Sequence, residues 1–423
     1  MKFITSKSGI KGSIEIPGSK SHTIRALFFS SLSKGESVIL KPLNSEDTLS
    51  ALMTCRSFGS QIKEDNEILK ITGFNGTPDI PDNVIDVRNS GTTLNIAIST
   101  AALIDGYTIF TGDEQIRNRP VQPLLDAINN LGASAICTKQ NGKPPLIIKG
   151  KIKGGHTMLD AVSSQYLTSL LINSPLFEKD TTVELSRLFE IPYVDITLWW
   201  LDKLGIKYNN DNYKYFHIPG NQKYKPFKQQ IPGDFSSATF FLVLAAISGG
   251  TIELKNLDTS DPQGDKLVIK ILEDMGAEII IKDEKTITIN GKNLKGREID
   301  MNAIPDALPA MAVAACFAEG ETRLLNVPQA RLKETDRITV MNKELSKMGA
   351  KIKELDDGLI ISQSRLKNAD VYSHNDHRIA MALTLAGLNM EGKTTINSAE
   401  AVSVTFPTFP ELIKKCGGKI EIQ

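Results

Sequence analysis

The sequence has few cysteines, no net charge and no long apolar segment, and each shortage excludes a class of protein. The four cysteines among its 423 residues are too scattered for a metal-binding spacing or a disulfide framework, which is typical of a reducing cytoplasm. Forty-nine basic residues balance 49 acidic ones, which argues against nucleic acid and anionic membranes as partners. Apolar runs reach only about ten residues, too short to span a bilayer. We expect a cytoplasmic enzyme that binds small molecules.

An internal repeat stands out against this background. At six positions, 68 to 73 residues apart, a glycine ends an amphipathic helical pattern and precedes a short strand. A glycine in that place is typical of a left-handed residue just past a helix. A period of about 70 residues predicts six copies of one structural unit. The six glycines are Gly59, Gly132, Gly205, Gly276, Gly349 and Gly417.

Each unit opens with a polar cluster followed by a stretch that is almost entirely apolar. Such a stretch predicts a buried helix, and Ser, Asn and Asp before it are typical of helix N-caps. Each unit should therefore contain a buried helix, a strand, an exposed helix and further strands. Helix N-termini that converge would make an anion-binding site. The clusters begin at Ser19, Asn89, Ser163, Asp234, Pro305 and Asn375.

Six units divide naturally into two halves of three. The tripeptides Ile16-Pro17-Gly18 and Ile231-Pro232-Gly233 precede the first and fourth clusters, and we interpret them as crossovers at 16–18 and 231–233. One domain should span 19–230, and the other should combine 1–15 with 231–423. The alternative is that Pro-Gly marks only turns, as Ile218-Pro219-Gly220 illustrates.

Charged side chains in several openings are the strongest sign of function. A charge at the start of a buried helix is costly unless it is paired or binds a ligand. Lysine and arginine suit phosphate and carboxylate groups, and the carboxyls of Asp306 and Glu334 suit acid–base chemistry. This pattern predicts an enzyme that holds two small anionic substrates between its halves, whereas solvated caps remain the plainer interpretation. The cations are Lys20, Arg25, Arg117, Arg119, Lys333, Arg337 and Arg378, beside His377.

Metal chemistry is not supported by the sequence. His374 and His377 have a spacing of three residues, but no acidic or cysteine cluster accompanies them. No cysteine lies in a polar opening, so a cysteine nucleophile is not indicated either. We predict no metal site.

The motifs PGSKSHTIRA, NSGTT, NRP, SSQYLTSLL, IPDA, LKETDR and NDHRIAMA occur in this order along the whole chain. In this combination the sequence resembles the EPSP synthases of the enolpyruvyl transferase family. The resemblance implies an α/β fold of two similar domains, each with three βαβαββ repeats, that close on a central cleft. It also implies transfer of the enolpyruvyl group of phosphoenolpyruvate to the 5-hydroxyl of shikimate 3-phosphate. That reaction proceeds by addition and elimination, without metal or organic cofactor. We expect the protein to be a monomer.

The resemblance implies roles for individual residues. Asp306 would take the proton of the attacking hydroxyl, and Glu334 would protonate the methylene carbon, helped by Lys20 or His377. Shikimate 3-phosphate would be held by Lys20, Ser21, Arg25, Ser163, Ser164, Gln165, Tyr193, Asp306, Gln329 and Lys333. Phosphoenolpyruvate would be held by Lys20, Gly91, Arg119, Gln165, Arg337 and Arg378.

Four positions depart from the commonest family pattern. Asn95 and Val404 stand where an arginine and a lysine are usual, Glu190 replaces a substrate-binding serine, and Gln329 replaces an asparagine. The first three changes lower the positive charge expected near the substrates, so we expect weak binding of phosphoenolpyruvate.

Two other interpretations are weaker. A related transferase acting on a UDP-sugar would commonly have Lys-Asn where this chain has Lys20-Ser21, and a cysteine where it has Glu114. A relative that acts on another alcohol acceptor is harder to distinguish from an EPSP synthase. A non-catalytic binding protein would be expected to lose Asp306 or Glu334, and both are present.

Overall fold

The computed structural model describes all 423 residues, which divide into two compact units. The split unit comprises Met1–Ser19 with Pro232–Gln423, and the continuous unit comprises Lys20–Ile231. Within the split unit, Gly18 and Gly233 form an isolated antiparallel bridge, and the Ser19 amide donates to the Pro232 carbonyl at 2.8 Å. The two Pro-Gly segments of the sequence therefore lie side by side in this unit.

Twelve α-helices span the chain. They are α1 Lys20–Leu32, α2 Glu46–Ser57, α3 Gly91–Ala101, α4 Gln122–Asn130, α5 Ser164–Asn173, α6 Ile191–Lys203, α7 Phe235–Ser248, α8 Leu267–Met275, α9 Leu308–Phe317, α10 Arg337–Lys347, α11 His377–Gly387 and α12 Phe409–Lys415. None of them is both long enough and apolar enough to cross a membrane.

Twenty-four strands form six sheets of four strands. The continuous unit contains β3 Lys34–Leu40, β4 Gln61–Asp65, β5 Ile68–Phe74, β6 Ile85–Asp86, β7 Tyr107–Thr111, β8 Ser134–Cys137, β9 Leu146–Lys149, β10 Gly155–Ala161, β11 Thr181–Leu188, β12 Asn209–Asp211, β13 Tyr215–Ile218 and β14 Lys228–Gln230. The split unit contains β1 Lys2–Ser6, β2 Lys11–Glu15, β15 Thr251–Lys255, β16 Glu278–Asp283, β17 Thr286–Asn290, β18 Glu298–Asp300, β19 Glu321–Leu325, β20 Lys351–Leu355, β21 Gly358–Ser362, β22 Asp370–Tyr372, β23 Thr394–Asn397 and β24 Lys419–Ile422.

All six sheets have the same pairing, which confirms the six predicted βαβαββ repeats. In the order β6-β7-β9-β8 the first pair is parallel and the other two are antiparallel, and the remaining five sheets follow this pattern. Three repeats take a strand from a distant part of the chain. Strand β14 completes the first sheet, β2 the fourth, and the N-terminal β1 the sixth.

The helix that opens each repeat is buried, as predicted. Helices α7, α9 and α11 pack against one another in the core of the split unit, and α3 packs against α1 and α5 in a separate core. Every residue of α9 except Phe317 is buried, because a helix that is apolar all round has no face for solvent. The second helix of each repeat is half-buried rather than exposed. In α6, for example, Trp200 and Leu201 lie wholly in the core.

Four of the six helices that open the repeats have the predicted side-chain N-caps. Ser90, Ser163, Asp234 and Asp376 each accept an amide hydrogen as N-caps of α3, α5, α7 and α11. Asp306 does not cap α9. It lies in a 3₁₀ turn, Pro305–Ala307, that leads into the helix, because the proline before it starts the turn without any side-chain cap. Its carboxylate is therefore available for other partners.

The six repeat glycines all have positive φ, between 71° and 113°, as predicted. Gly205 is the clearest case, because a Cβ added there would meet no atom within 4 Å. Only backbone conformation, and not space, then requires glycine at this position.

Gly205→Ala should lower the free energy of unfolding of the continuous unit by about 1–2 kcal/mol, the cost of a left-handed alanine. Gly205→Asn is the matched control and should cost less, since asparagine tolerates this region. The protein's two tryptophans, Trp199 and Trp200, lie in α6, so their fluorescence during urea unfolding reports on this unit. Equal stability of the alanine variant and the wild type would contradict the argument.

Candidate active site

The centre of the polar cluster in the split unit is Arg337, whose side chain is 1% exposed. Its guanidinium contacts three carboxylates. Nε donates to Asp376 at 2.8 Å, Nη1 donates to Asp306 at 2.8 Å, and Nη2 donates to Glu334 at 2.5 Å. Arg378 adds a second cation, with its Nη2 2.7 Å from Asp306. The structure thus brings together four of the residues singled out in the sequence.

Helix starts position this cluster. Arg337 is the first residue of α10, whose N-cap is Asp336, and Glu334 lies just before it. Arg378 is the second residue of α11, and the Asp376 carboxylate accepts its backbone amide at 2.8 Å. Since α9 and α11 pack together, the turn with Asp306 lies near the start of α11.

The carboxylates decide the charge state of Arg337. Burial by itself would lower the pKa of this guanidinium. The negative charges of Asp376, Glu334 and Asp306 outweigh burial and raise the pKa well above its ordinary value. Arg337 is therefore a permanent cation.

Asp376 and Asp265 belong to this cluster but were given no role by the sequence. Asp376 is fully buried and also accepts from the Thr335 hydroxyl at 3.1 Å. Asp265 is 2% exposed and accepts from the Ser236 hydroxyl at the start of α7. Burial first, and then the charge of Asp306, raise the pKa of Asp265 to about 6. The N-cap position of Asp376 was a usable signal, whereas nothing in the sequence near Asp265 marks it.

Three further residues that the sequence singled out, Gln329, Lys333 and His377, also lie in the split unit. Gln329, in the 3₁₀ turn Pro328–Leu332, is 3% exposed and donates to the Asn302 carbonyl at 3.1 Å. Lys333 follows that turn and is partly exposed. His377 is the first residue of α11 and is buried.

No group of three or more His, Cys, Asp and Glu side chains is arranged to hold a metal ion. His374 contacts Glu344 at 2.8 Å.

In the continuous unit, Lys20 and Ser21 begin α1. The ammonium of Lys20 lies 3.0 Å from the Asp47 carboxylate, and the two side chains are 15% and 6% exposed. Asp47 is in the first turn of α2 and was not singled out in the sequence. The pair holds the charge of Lys20 at the start of the first buried helix.

Arg25 connects three helices of this unit. Its guanidinium donates to Thr197 on α6 at 2.9 Å, to the Tyr193 carbonyl at 2.9 Å and to Thr168 on α5 at 3.3 Å. Burial lowers the pKa of Arg25 to about 10. Since it is only 2% exposed, it holds α1, α5 and α6 together in addition to any contact with a ligand.

The starts of α3 and α5 bring together Gly91, Arg119 and Gln165. A Cβ on Gly91 would lie 2.5 Å from Nη1 of Arg119 and 3.6 Å from Oε1 of Gln165, so any other residue here would displace the Arg119 guanidinium. Asn95, one turn into α3, donates to Oε1 of Gln165 at 2.7 Å. The loop with Arg119 is tied to α5, because the Tyr166 hydroxyl donates to the Pro120 carbonyl at 2.6 Å.

Ser163 and Ser164 form the start of α5 beside Glu190. Ser163 is the N-cap, and the hydroxyl of Ser164 donates to the Glu190 carboxylate at 2.8 Å. Glu190 is 2% exposed and has a left-handed backbone with φ of 60°. A carboxylate thus lies on a helix start where the sequence analysis expected an anionic substrate.

Val404 ends a 3₁₀ turn, Ala399–Val404, that packs against α11. Its side chain is partly exposed. This is the same helix whose first turn carries His377 and Arg378.

The polar groups form two clusters, the Arg337 cluster of the split unit and a helix-start cluster at the starts of the packed helices α1, α3 and α5 in the continuous unit. Both can bind anions, and the Arg337 cluster can also move protons. Arginine and lysine donors beside helix N-termini suit phosphate and carboxylate groups. Asp306 and Glu334 contact the same guanidinium. Two such groups can supply the proton acceptor and the proton donor of one reaction.

The chain is similar to known proteins along almost its whole length. The family model of EPSP synthase (3-phosphoshikimate 1-carboxyvinyltransferase) matches residues 4–413. The 3-phosphoshikimate 1-carboxyvinyltransferase of Ruminiclostridium cellulolyticum is 62% identical over 416 residues, which is 98% of each chain. The protein of the same name from Acetivibrio thermocellus is 60% identical over 414 residues, again 98% of each chain. A solved structure of EPSP synthase from Acinetobacter baumannii is similar with a TM-score of 0.85 at 29% identity, covering 100% of this chain and 99% of that one.

The raised pKa of Asp265 predicts a pH dependence of stability. An ordinary aspartate has a pKa of about 3.9, so between about pH 4 and pH 6 the folded protein holds this proton more tightly than the unfolded chain. The free energy of unfolding should fall as pH rises through this window. Asp265→Asn removes the effect, and its stability relative to wild type should be higher at about pH 7 than at about pH 4.

Urea unfolding followed by circular dichroism measures this difference. Asp356→Asn, at an exposed carboxylate, is the control and should leave the pH dependence unchanged. A stability difference for Asp265→Asn that is the same at both pH values would contradict the assignment.

Proposed function

The chain belongs to the EPSP synthase family, and we propose that it transfers the enolpyruvyl group of phosphoenolpyruvate to the 5-hydroxyl of shikimate 3-phosphate and releases phosphate. Relatives at up to 62% identity over almost the whole chain bear the name of this activity. The observation in the structure that best supports it is the pair of carboxylates, Asp306 and Glu334, on the buried guanidinium of Arg337.

In the addition step the 5-hydroxyl oxygen bonds to C2 of phosphoenolpyruvate. We assign Asp306 as the acceptor of the hydroxyl proton and Glu334 as the donor of a proton to the methylene carbon, which becomes a methyl group. Lys20 or His377 assists this second transfer. The product is a tetrahedral ketal phosphate, and the number of protons is conserved because one leaves the alcohol as another joins carbon.

In the elimination step the methyl group returns a proton to the Glu334 carboxylate, and the C2–O bond to phosphate breaks with its electron pair leaving on the phosphate. The enol ether product and inorganic phosphate result. The contacts of Arg337 support these roles, because its guanidinium donates to both acids, Asp306 and Glu334. A fixed cation next to both acids can stabilise negative charge that develops during each step.

We assign substrate contacts to the residues of both clusters. The acceptor is held by Lys20, Ser21, Arg25, Ser163, Ser164, Gln165, Tyr193, Asp306, Gln329 and Lys333. Phosphoenolpyruvate is held by Lys20, Gly91, Arg119, Gln165, Arg337 and Arg378. The close approach of Arg119 and Gln165 over Gly91 supports the second set.

A single assay tests the function. Purified protein is given phosphoenolpyruvate and shikimate 3-phosphate, phosphate release is followed with a coupled enzyme, and the product is identified by mass spectrometry. Omission of either substrate is the control. Phosphate release without the acceptor, or no release with both substrates, would contradict the proposed reaction.

We also propose a cellular compartment and an oligomeric state for the enzyme. Four buried free thiols support a reducing compartment such as the cytoplasm. We propose that the monomer is active, which sedimentation during turnover would test.

Asp306→Asn and Glu334→Gln should each lower kcat by about 10²–10⁴-fold, the usual contribution of a general acid or base. Both variants keep the size of the side chain and can still accept from Arg337. The dissociation constant of shikimate 3-phosphate, measured by calorimetry, should change much less. Glu284→Gln, at an exposed turn of the split unit, is the matched control and should keep normal turnover. A near-normal kcat in either site variant would remove that residue from its role.

Val404→Lys should tighten phosphoenolpyruvate binding by about tenfold or more, since a hydrogen bond to a charged group contributes about 1.5–3 kcal/mol. The physical reason is that the substitution adds a cation on the turn that packs against α11, which carries Arg378. Val404→Met changes the side chain without adding charge and is the control. If calorimetry finds equal affinities for the lysine and methionine variants, position 404 does not reach the substrate.

A further inference from the structure

A short hydrogen-bond network joins the first turn of α3 to the first turn of α5. The Asn95 side-chain nitrogen, Nδ2, donates to the Gly91 carbonyl at 3.0 Å and to Oε1 of Gln165 at 2.7 Å. The amide nitrogen of Gln165, Nε2, donates to the Thr92 hydroxyl at 3.1 Å. All four residues belong to the continuous unit.

The network fixes which way each amide points. The Gly91 carbonyl can only accept, so Asn95 must turn its NH₂ group toward it. The same NH₂ group then faces Gln165, which must turn its oxygen inward. A reversed Gln165 would place two donors against each other. A backbone carbonyl therefore sets the orientation of the glutamine through one intermediate side chain.

Asn95 has an unfavourable feature that supports this role. It is 6% exposed, and its own oxygen, Oδ1, is buried without any hydrogen-bond partner. An orphaned buried acceptor is destabilising, and an apolar side chain of the same size would avoid it. What asparagine provides and an apolar residue lacks is the pair of N–H groups that hold Gly91 and Gln165.

The consequence lies at Gln165, which is partly exposed next to Arg119. One Nε2 hydrogen goes to the Thr92 hydroxyl, and the second is not used by this network. We propose that Asn95 is a positioning residue, which fixes Gln165 so that an N–H and not the amide oxygen is offered to an anionic substrate beside Arg119. This inference rests on the proposed function, in which Gln165 contacts both substrates.

The test is a double-mutant cycle on anion binding. Asn95→Leu keeps the size and removes both N–H groups, Gln165→Ala removes the group that is positioned, and the double variant combines them. Calorimetry measures the dissociation constants of phosphoenolpyruvate and of inorganic phosphate, and steady-state kinetics separates KM from kcat. Asn95→Leu should weaken phosphoenolpyruvate binding by about tenfold, the loss of one hydrogen bond to a charged group. KM should rise more than kcat falls.

In the Gln165→Ala background, Asn95→Leu should have no further effect, because there is no amide left to orient. Equal losses of affinity in both backgrounds would show that Asn95 acts through packing alone and would overturn the proposal. Unchanged affinity in Asn95→Leu would do the same. If thermal melting shows that leucine unfolds the protein, Asn95→Ser, which is too short to reach Gln165, takes its place with the same expectations.

Failure of the proposed function has a different signature. A wild type that binds phosphate with this coupling but does not turn over the two substrates would remove the function and leave the positioning role. A wild type that binds neither anion would overturn both.

Discussion

The geometry of the split unit depends on one buried cation. A guanidinium removed from water is costly unless carboxylates surround it, and Arg337 has three of them, from a 3₁₀ turn, from the segment before α10 and from the start of α11. Loss of the cation would leave three acids in a low dielectric. The arrangement of these three helix starts is therefore tied to a single charge, which also holds Asp306 and Glu334 close together.

The continuous unit also has a buried arginine, Arg25, but no carboxylate contacts it. Carboxylates do occur at the helix starts of this unit, where Asp47 pairs with Lys20 and Glu190 accepts from Ser164. The buried Arg25, however, donates to two threonines and two backbone carbonyls and not to an acid. Neutral acceptors leave the guanidinium with its full positive charge, whereas each carboxylate around Arg337 cancels part of the field. Arg25 therefore keeps more of its positive field for an anion than Arg337 does.

Much of this could be predicted from the sequence, and the limit has a physical cause. The repeat glycines and the buried helices follow from local backbone and periodicity rules, so their positions were predictable residue by residue. Pairing between distant residues was not. Asp265 joins the cluster of Asp306 through the packing of α7, and Glu190 meets Ser164 across 26 residues. Such contacts depend on side-chain direction, which a single sequence does not encode in any local pattern.

Two departures from the family pattern, Val404 and Asn95, differ in how many contacts depend on the residue. Val404 is partly exposed and its side chain has no polar group, so a lysine in its place would displace no hydrogen bond. Asn95 is buried and its two N–H groups are both used, so an arginine in its place would have to displace the contacts with Gly91 and Gln165. A guanidinium at 6% exposure would also need a carboxylate or ligand to offset its desolvation. The charge at position 404 can therefore change independently, whereas residue 95 can change only together with the orientation of Gln165.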